Sequence, residues 1–103
     1  MAEQYGTVMI ARLSVPFEQA EEEARRWVAE RSTKRPGFVR ENLMRCDDGV
    51  TVIMTIVFES KEAYLSLSDD PEQDRWYSEV MRPMMAEDPQ WFDGHWAETI
   101  EAP

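Results

Sequence analysis

The sequence predicts an α+β fold in which one antiparallel four-stranded sheet carries helices on a single face. Glycine and proline punctuation divides the 103 residues into segments whose hydrophobic period alternates between that of strands and that of helices. The resulting order is β, α, β, β, α, β, which is the split β-α-β or ferredoxin-like arrangement. No linker, repeat or low-complexity segment interrupts it, so we expect a single domain over residues 1–103.

The first strand is predicted over residues 5–15 and ends at Pro16, because proline cannot donate to a strand ladder. Residues 17–34 then predict an amphipathic helix, since apolar side chains recur on one face while pairs of Glu and Arg four residues apart occupy the other. The apolar positions are Phe17, Ala20, Ala24, Trp27 and Val28, and the pairs are Glu21 with Arg25 and Glu22 with Arg26.

A hairpin and a second helical region follow. Residues 37–46 and 50–59 read as strands joined by the turn sequence "DDG". Ser60 is a suitable N-cap for a short helix, and Asp70 with Pro71 caps a second one. Pro83 is expected to kink or break the last turn of that helix. Residues 90–102 predict the last strand, with Gly94 as a possible bulge.

Composition excludes several classes of partner. The chain carries 11 basic and 21 acidic side chains, a net charge of -10, which disfavours nucleic acid. No stretch approaches the roughly 20 apolar residues that cross a membrane. One cysteine, Cys46, rules out an intrachain disulfide and a cysteine-rich zinc site. No secretory signal, P-loop or dinucleotide fingerprint is visible, so we expect a cytoplasmic protein without metal or cofactor.

The third strand is apolar on both faces. Val52, Met54, Ile56 and Phe58 form one face, and Ile53 and Val57 make the other largely apolar as well. A domain of this topology has no further element to cover the second face, and exposed apolar patches of this kind usually mark interfaces. We therefore expect a homodimer with the two sheets packed face to face.

Three stretches, "RPGFVRENLMR", "FESKEAYLSL" and the "DDP" that opens the next helix, resemble the antibiotic biosynthesis monooxygenase family of dimeric α/β barrels. The resemblance spans roughly residues 6 to 100. It implies the fold described above and a choice of activities, which in that family include cofactor-independent oxidation of anthrone-type polyketides, oxidation of small quinols and heme degradation.

The resemblance also implies positions for an active site between sheet and helices. The Asn, Trp and Tyr of the polyketide oxygenases fall on Met54, Phe58 and Tyr64, and their Arg falls near Tyr77, with Arg75 close by; only Tyr64 matches. Trp76 and Met81 are expected to line the same space, where Tyr64 would donate a hydrogen bond to a substrate oxygen.

The heme-degrading branch matches less well. Its Asn, Trp and axial His fall on Ala11, Leu67 and Trp76, and the only histidine of the chain, His95, lies on the last strand. His95 is a candidate general base because its ordinary pKa lies near neutrality, although an exposed or structural role suits it better.

Two functional classes remain open. One is a cofactor-independent monooxygenase acting on an electron-rich phenol, hydroquinone or anthrone. The other is a non-catalytic ligand-binding or accessory protein on the same dimeric scaffold, since a fold does not determine an activity. A cavity beside Tyr64 that holds an unpaired polar group would distinguish the two.

Overall fold

A computed structural model describes residues 3–31 and 34–103 and contains one antiparallel sheet of order β2-β3-β1-β4. Its strands are Gln4–Arg12 (β1), Phe38–Arg45 (β2), Thr51–Phe58 (β3) and Gln90–Trp96 (β4). The helices are Phe17–Glu30 (α1), Lys61–Ser68 (α2) and Pro71–Trp76 (α3). The predicted α+β fold with helices on one face is confirmed.

Local chemistry sets where the two later helices begin. The Ser60 side chain accepts a hydrogen bond from the Ala63 amide at 3.2 Å, and Asp70 accepts one from the Glu72 amide at 2.9 Å. Both are the N-caps expected from the sequence. Beyond α3 the chain widens into a π-helical turn, Tyr77–Met81, and tightens into a 3₁₀ turn, Arg82–Met84. The α-helix itself thus ends at Trp76, before Pro83, and the irregular last turn expected at Pro83 is the 3₁₀ turn that contains this proline.

The core lies between the sheet and the helices. Alternate side chains of β1 and β3 point into it and are buried, as the period of two in a strand requires. From the helical side Trp27 of α1 and Leu67 of α2 pack against them. The strand contribution comprises Met9, Ala11, Val52, Met54, Ile56 and Phe58.

Several predicted boundaries are wrong by a few residues. The first strand ends at Arg12, and Leu13 makes only an isolated bridge to Met85. α1 ends at Glu30; of the predicted remainder, residues 32 and 33 lie outside the described residues. The last strand ends at Trp96, and its Gly94 pairs with Gly6 in unbroken register, so the expected bulge is absent there.

The opposite face of the sheet carries apolar side chains that the described part of the chain leaves open. Met44 of β2 and Phe92 of β4 are 58% and 56% exposed. Ile53 is half-buried, whereas Val57 is only 1% exposed within the single chain. Val57 pairs with Gly6, over which the Trp96 indole lies. The expectation that both side chains need a partner to cover them is thus wrong for Val57.

Among the described helices, none combines the length and the apolar character needed to cross a membrane.

Candidate functional site

A cavity of about 340 Å³ lies between the inner face of the sheet and the helical layer. Ligand sites in proteins usually measure roughly 300–1,000 Å³, so this cavity reaches the lower end of that range. Its walls are mainly thioether, aliphatic and aromatic. Four of the side chains expected at the site line it, namely Met54, Trp76, Tyr77 and Met81.

Tyr64 also lines the cavity, and α2 holds it there. Its ring packs against the rings of Tyr5 and Phe58, with centroids 5.3 and 5.9 Å away. Its hydroxyl donates to the Asp93 carboxylate at 3.2 Å. Burial, followed by the nearby Asp93 charge, raises the pKa of Tyr64 to about 12. Tyr64 is therefore protonated at neutral pH, with its proton directed to Asp93 in this state.

Glu41 is a cavity residue that the sequence reasoning missed. It lies on β2 opposite Ile56, faces the helical layer and lines the cavity. Burial raises the pKa of the Glu41 carboxyl to about 7. Neither a hydrogen bond nor an ion pair to this carboxyl occurs within residues 3–31 and 34–103. It is an unpaired ionisable group in a mainly apolar cavity, as functional groups in sites often are.

A bulge in β2 explains why Glu41 was missed. Phe38 pairs with Phe58, but the next pair is Arg40 with Val57, so one extra residue interrupts the ladder. Unbroken alternation from Phe38 would turn Glu41 to the opposite face, because a shift of one residue exchanges the two faces of a strand. The inward turn of Glu41 therefore depends on a bulge that the alternating pattern did not reveal.

Two tryptophans are fixed in the cavity wall by hydrogen bonds. The Trp27 indole N–H donates to Gln73 at 3.0 Å, and the Trp76 indole N–H donates to Glu23 at 3.2 Å. Glu23 is also paired with Arg26 at 2.8 Å. These bonds link α1 to α3 and hold the indole rings, which present flat apolar surface to a ligand.

Three residues expected at the site lie elsewhere. Phe58 is fully buried behind Tyr64 and does not reach the cavity. Arg75 is exposed and borders a second, separate pocket with Arg31. His95 is exposed and packs edge-on against Tyr5 at 4.9 Å, outside the cavity. The helical end that carries Arg75 turns this side chain outward, while its neighbour Trp76 points in.

The charged groups that line the cavity are all acidic. Among the residues the structure describes, no Lys, Arg or His side chain belongs to the lining, which includes Glu23, Glu41, Asp74 and Asp93. The described residues also contain no cluster of three or more His, Cys, Asp or Glu that could hold a metal ion. The cavity disfavours an anionic ligand because its charge would face carboxylates.

No protein-family model matches the sequence, and no curated protein matches it. Solved structures do share its fold. A monooxygenase from the gene ActVA-Orf6 of Streptomyces coelicolor, in complex with nanaomycin D, is 21% identical, with a TM-score of 0.79 over 98% of this chain and 94% of that one. SnoaB, a cofactor-independent oxygenase from Streptomyces nogalater, is 20% identical, with a TM-score of 0.71 over 99% of each chain.

A hydroxynitrile lyase from Passiflora edulis is also similar, at 14% identity and a TM-score of 0.70, over 98% of this chain and 100% of that one. The same fold is thus found in proteins described as oxygenases and in one described as a lyase, so similarity at this level identifies a fold and leaves the reaction open. The chain has the fold of the antibiotic biosynthesis monooxygenase-type proteins that its sequence resembles.

Proposed function

We propose that the protein is a cofactor-independent monooxygenase that oxidises an electron-rich aromatic of the anthrone, phenol or hydroquinone type with dioxygen. The observation that carries this proposal is the cavity of about 340 Å³ beside Tyr64, which contains the unpaired carboxyl of Glu41. A cavity with flat aromatic walls suits a ring system, and an unpaired polar group is what a filled or purely structural core lacks. Two proteins of the same fold are described as oxygenases.

The proposed reaction needs binding, deprotonation and exclusion of water. Loss of a proton converts the bound aromatic to a carbanion or phenolate, which itself reduces dioxygen. For an anthrone, the ring methylene and one dioxygen give a quinone carbonyl and one water. The apolar lining desolvates the reacting carbon and its peroxide.

Tyr64 is proposed to donate a hydrogen bond to a substrate oxygen or to the peroxide. Its hydroxyl now donates to Asp93, whose side chain is exposed. Water can therefore replace the hydroxyl at Asp93 when a substrate oxygen accepts it. The raised pKa of Tyr64, about 12, keeps the proton on the hydroxyl for this role.

Oxygen uptake by the wild type and by Tyr64→Phe tests this function. The change keeps the ring and removes the bond to Asp93, so the free energy of unfolding should fall by about 1 kcal/mol. Oxidation of an anthrone or hydroquinone should slow roughly tenfold to a hundredfold, as expected for loss of a positioned proton donor. Equal rates after subtraction of autoxidation would remove Tyr64 from the mechanism.

The alternative function is a ligand-binding or accessory protein. It would use the same cavity but show no oxygen uptake above autoxidation. Heme degradation has less support, because the positions that correspond to heme-holding residues are Ala11, Leu67 and Trp76, and His95 lies outside the cavity.

We also propose that the protein acts as a homodimer, with the outer sheet faces packed together. The support is the open apolar surface of Met44, Ile53 and Phe92, to which Val8 and Ile10 of β1 contribute partly buried side chains. Surfaces of this kind are usually covered by a partner, and a second copy presents the same apolar face.

A further inference from the structure

We propose that the Glu41 carboxylate is the base that removes the first proton, and that the site therefore takes aromatic carbon acids and phenols in their uncharged form. This inference rests on the proposed function, which leaves the base and the charge of the substrate undefined.

The position of Glu41 favours this role. β2 is a strand of the sheet, so its backbone is held by pairing with β3, and the bulge after Phe38 directs Glu41 into the cavity. Among the described residues, no group forms an ion pair with the Glu41 carboxylate or donates a hydrogen bond to it. A base on a rigid element with its oxygens unengaged can accept a proton from a bound ligand.

The other ionisable groups of the cavity suit the role less well. Glu23 is paired with Arg26 and accepts from Trp76, and Asp93 accepts from Tyr64. Asp74 is exposed to solvent. Among the described residues, the ionisable side chains that line the cavity with Glu41 are Glu23 on α1, Tyr64 on α2, Asp74 on α3, Tyr77 on the following turn and Asp93 on β4. Burial raises the pKa of Tyr77 as it does that of Tyr64, so neither phenol is a base near neutral pH.

The basicity of the Glu41 carboxylate suits removal of a proton from the substrate. Because burial raises its pKa to about 7, a large fraction is deprotonated at neutral pH while its basicity exceeds that of an ordinary carboxylate. The cavity has no cationic lining residue within the described chain and several acidic ones, so it disfavours an anion. The substrate then enters preferentially in its uncharged form and loses its proton after binding.

In the proposed step, the C–H bond of an anthrone methylene breaks, its proton forms an O–H bond on Glu41, and the electron pair stays on the ring carbon. Dioxygen accepts these electrons as the carbon–oxygen bond forms, and the peroxide recovers the proton from Glu41. Loss of the second methylene proton and cleavage of the O–O bond release hydroxide, which takes that proton as water and leaves the carbonyl.

The test uses 5-nitrobenzisoxazole, a flat aromatic that opens to a coloured cyanophenolate when a base removes one ring proton and the N–O bond breaks. The opening needs no dioxygen. We expect the wild type to accelerate it and Glu41→Gln to lose at least a hundredfold of that acceleration, with the pH dependence of the wild-type rate rising through about 7. Glu41→Asp should retain part of the rate.

Glu22→Gln is the matched control, because it removes an exposed carboxylate from α1 that faces away from the cavity. Its rate should equal that of the wild type. No acceleration by the wild type, or equal rates for wild type and Glu41→Gln, would overturn the proposal.

Oxygen uptake by the same proteins separates this inference from the function on which it rests. Ring opening that depends on Glu41, without uptake on any anthrone or hydroquinone, supports the base and contradicts the oxygenase. Uptake that is equal in wild type and Glu41→Gln supports the oxygenase and contradicts the base.

Discussion

Burial raises the pKa of both Glu41 and Tyr64, but it leaves the two groups in different protonation states near neutral pH. Burial favours the uncharged form of both, so the pKa of each rises, to about 7 for the carboxyl and to about 12 for the phenol. Near neutral pH the carboxyl exchanges its proton easily, whereas the phenol retains it. Ionisable groups whose pKa values are separated in this way are suited to acid and base roles.

The raised pKa of Glu41 also predicts how stability varies with pH. The folded state binds a proton with a pKa of about 7 and the unfolded state with one near 4.5, so the folded state holds more protons between these values. Its free energy of unfolding therefore falls as pH rises through this window. Glu41→Gln removes the effect and should stabilise the protein at pH 8 by on the order of 2 kcal/mol, with little change at pH 4.5.

Urea unfolding of the wild type and Glu41→Gln at the two pH values measures this difference. Glu22→Gln supplies the comparison, because its carboxylate is exposed. A Glu41→Gln variant that is less stable than the wild type at pH 8 would show that the carboxylate has a partner and is not a free base.

At the level of elements, two glycines that face each other across β1 and β4 have different surroundings. A Cβ at Gly6 would lie 1.8 Å from the Ile56 carbonyl oxygen, whereas a Cβ at Gly94 would have nothing within 4 Å. Gly6 is therefore required by close packing of β1 against β3. Gly94 is not required by packing, although the sequence predicted a bulge there.

Alanine at each position tests whether Gly6, but not Gly94, is required by close packing. Gly6→Ala should lower the free energy of unfolding by about 2 kcal/mol or more, because a backbone atom must move. Gly94→Ala should change it by less than about 1 kcal/mol, since it adds a methyl group in open space and restricts the unfolded chain. Chemical denaturation of the two variants measures both changes. Equal losses of unfolding free energy would contradict the described register.

The elements differ in how far the sequence could predict them. The N-caps at Ser60 and Asp70 and the irregular last turn at Pro83 depend on local chemistry, and all were predicted. The earlier end of the α-helix at Trp76 was not. The inward turn of Glu41 depends on a bulge in the pairing of β2 with β3, which is a property of two strands. The outward turn of Arg75 and the burial of Phe58 likewise depend on packing, so the expected site was only partly correct.

For the whole molecule, the outer face of the sheet predicts self-association. Ile53→Asp would place an unpaired charge in the proposed interface and should raise the dimer dissociation constant at least roughly a hundredfold. Val57 is less suitable for this test because it is buried within one chain. Leu65→Asp on the exposed side of α2, where the side chain is 40% exposed, is the control.

Sedimentation velocity at micromolar concentration measures the change. The wild type and Leu65→Asp should sediment as dimers and Ile53→Asp as a folded monomer. A wild type that is monomeric at this concentration would exclude the face-to-face dimer.

Oxygen uptake with chelator-treated wild type and an anthrone under ¹⁸O₂ shows whether the chain oxidises an aromatic in its own cavity without a cofactor. The proposed oxygenase function predicts a rate well above autoxidation, one dioxygen consumed for each quinone formed, and one labelled oxygen in the new carbonyl. A rate equal to autoxidation across anthrones, phenols and hydroquinones would contradict it and favour the ligand-binding alternative.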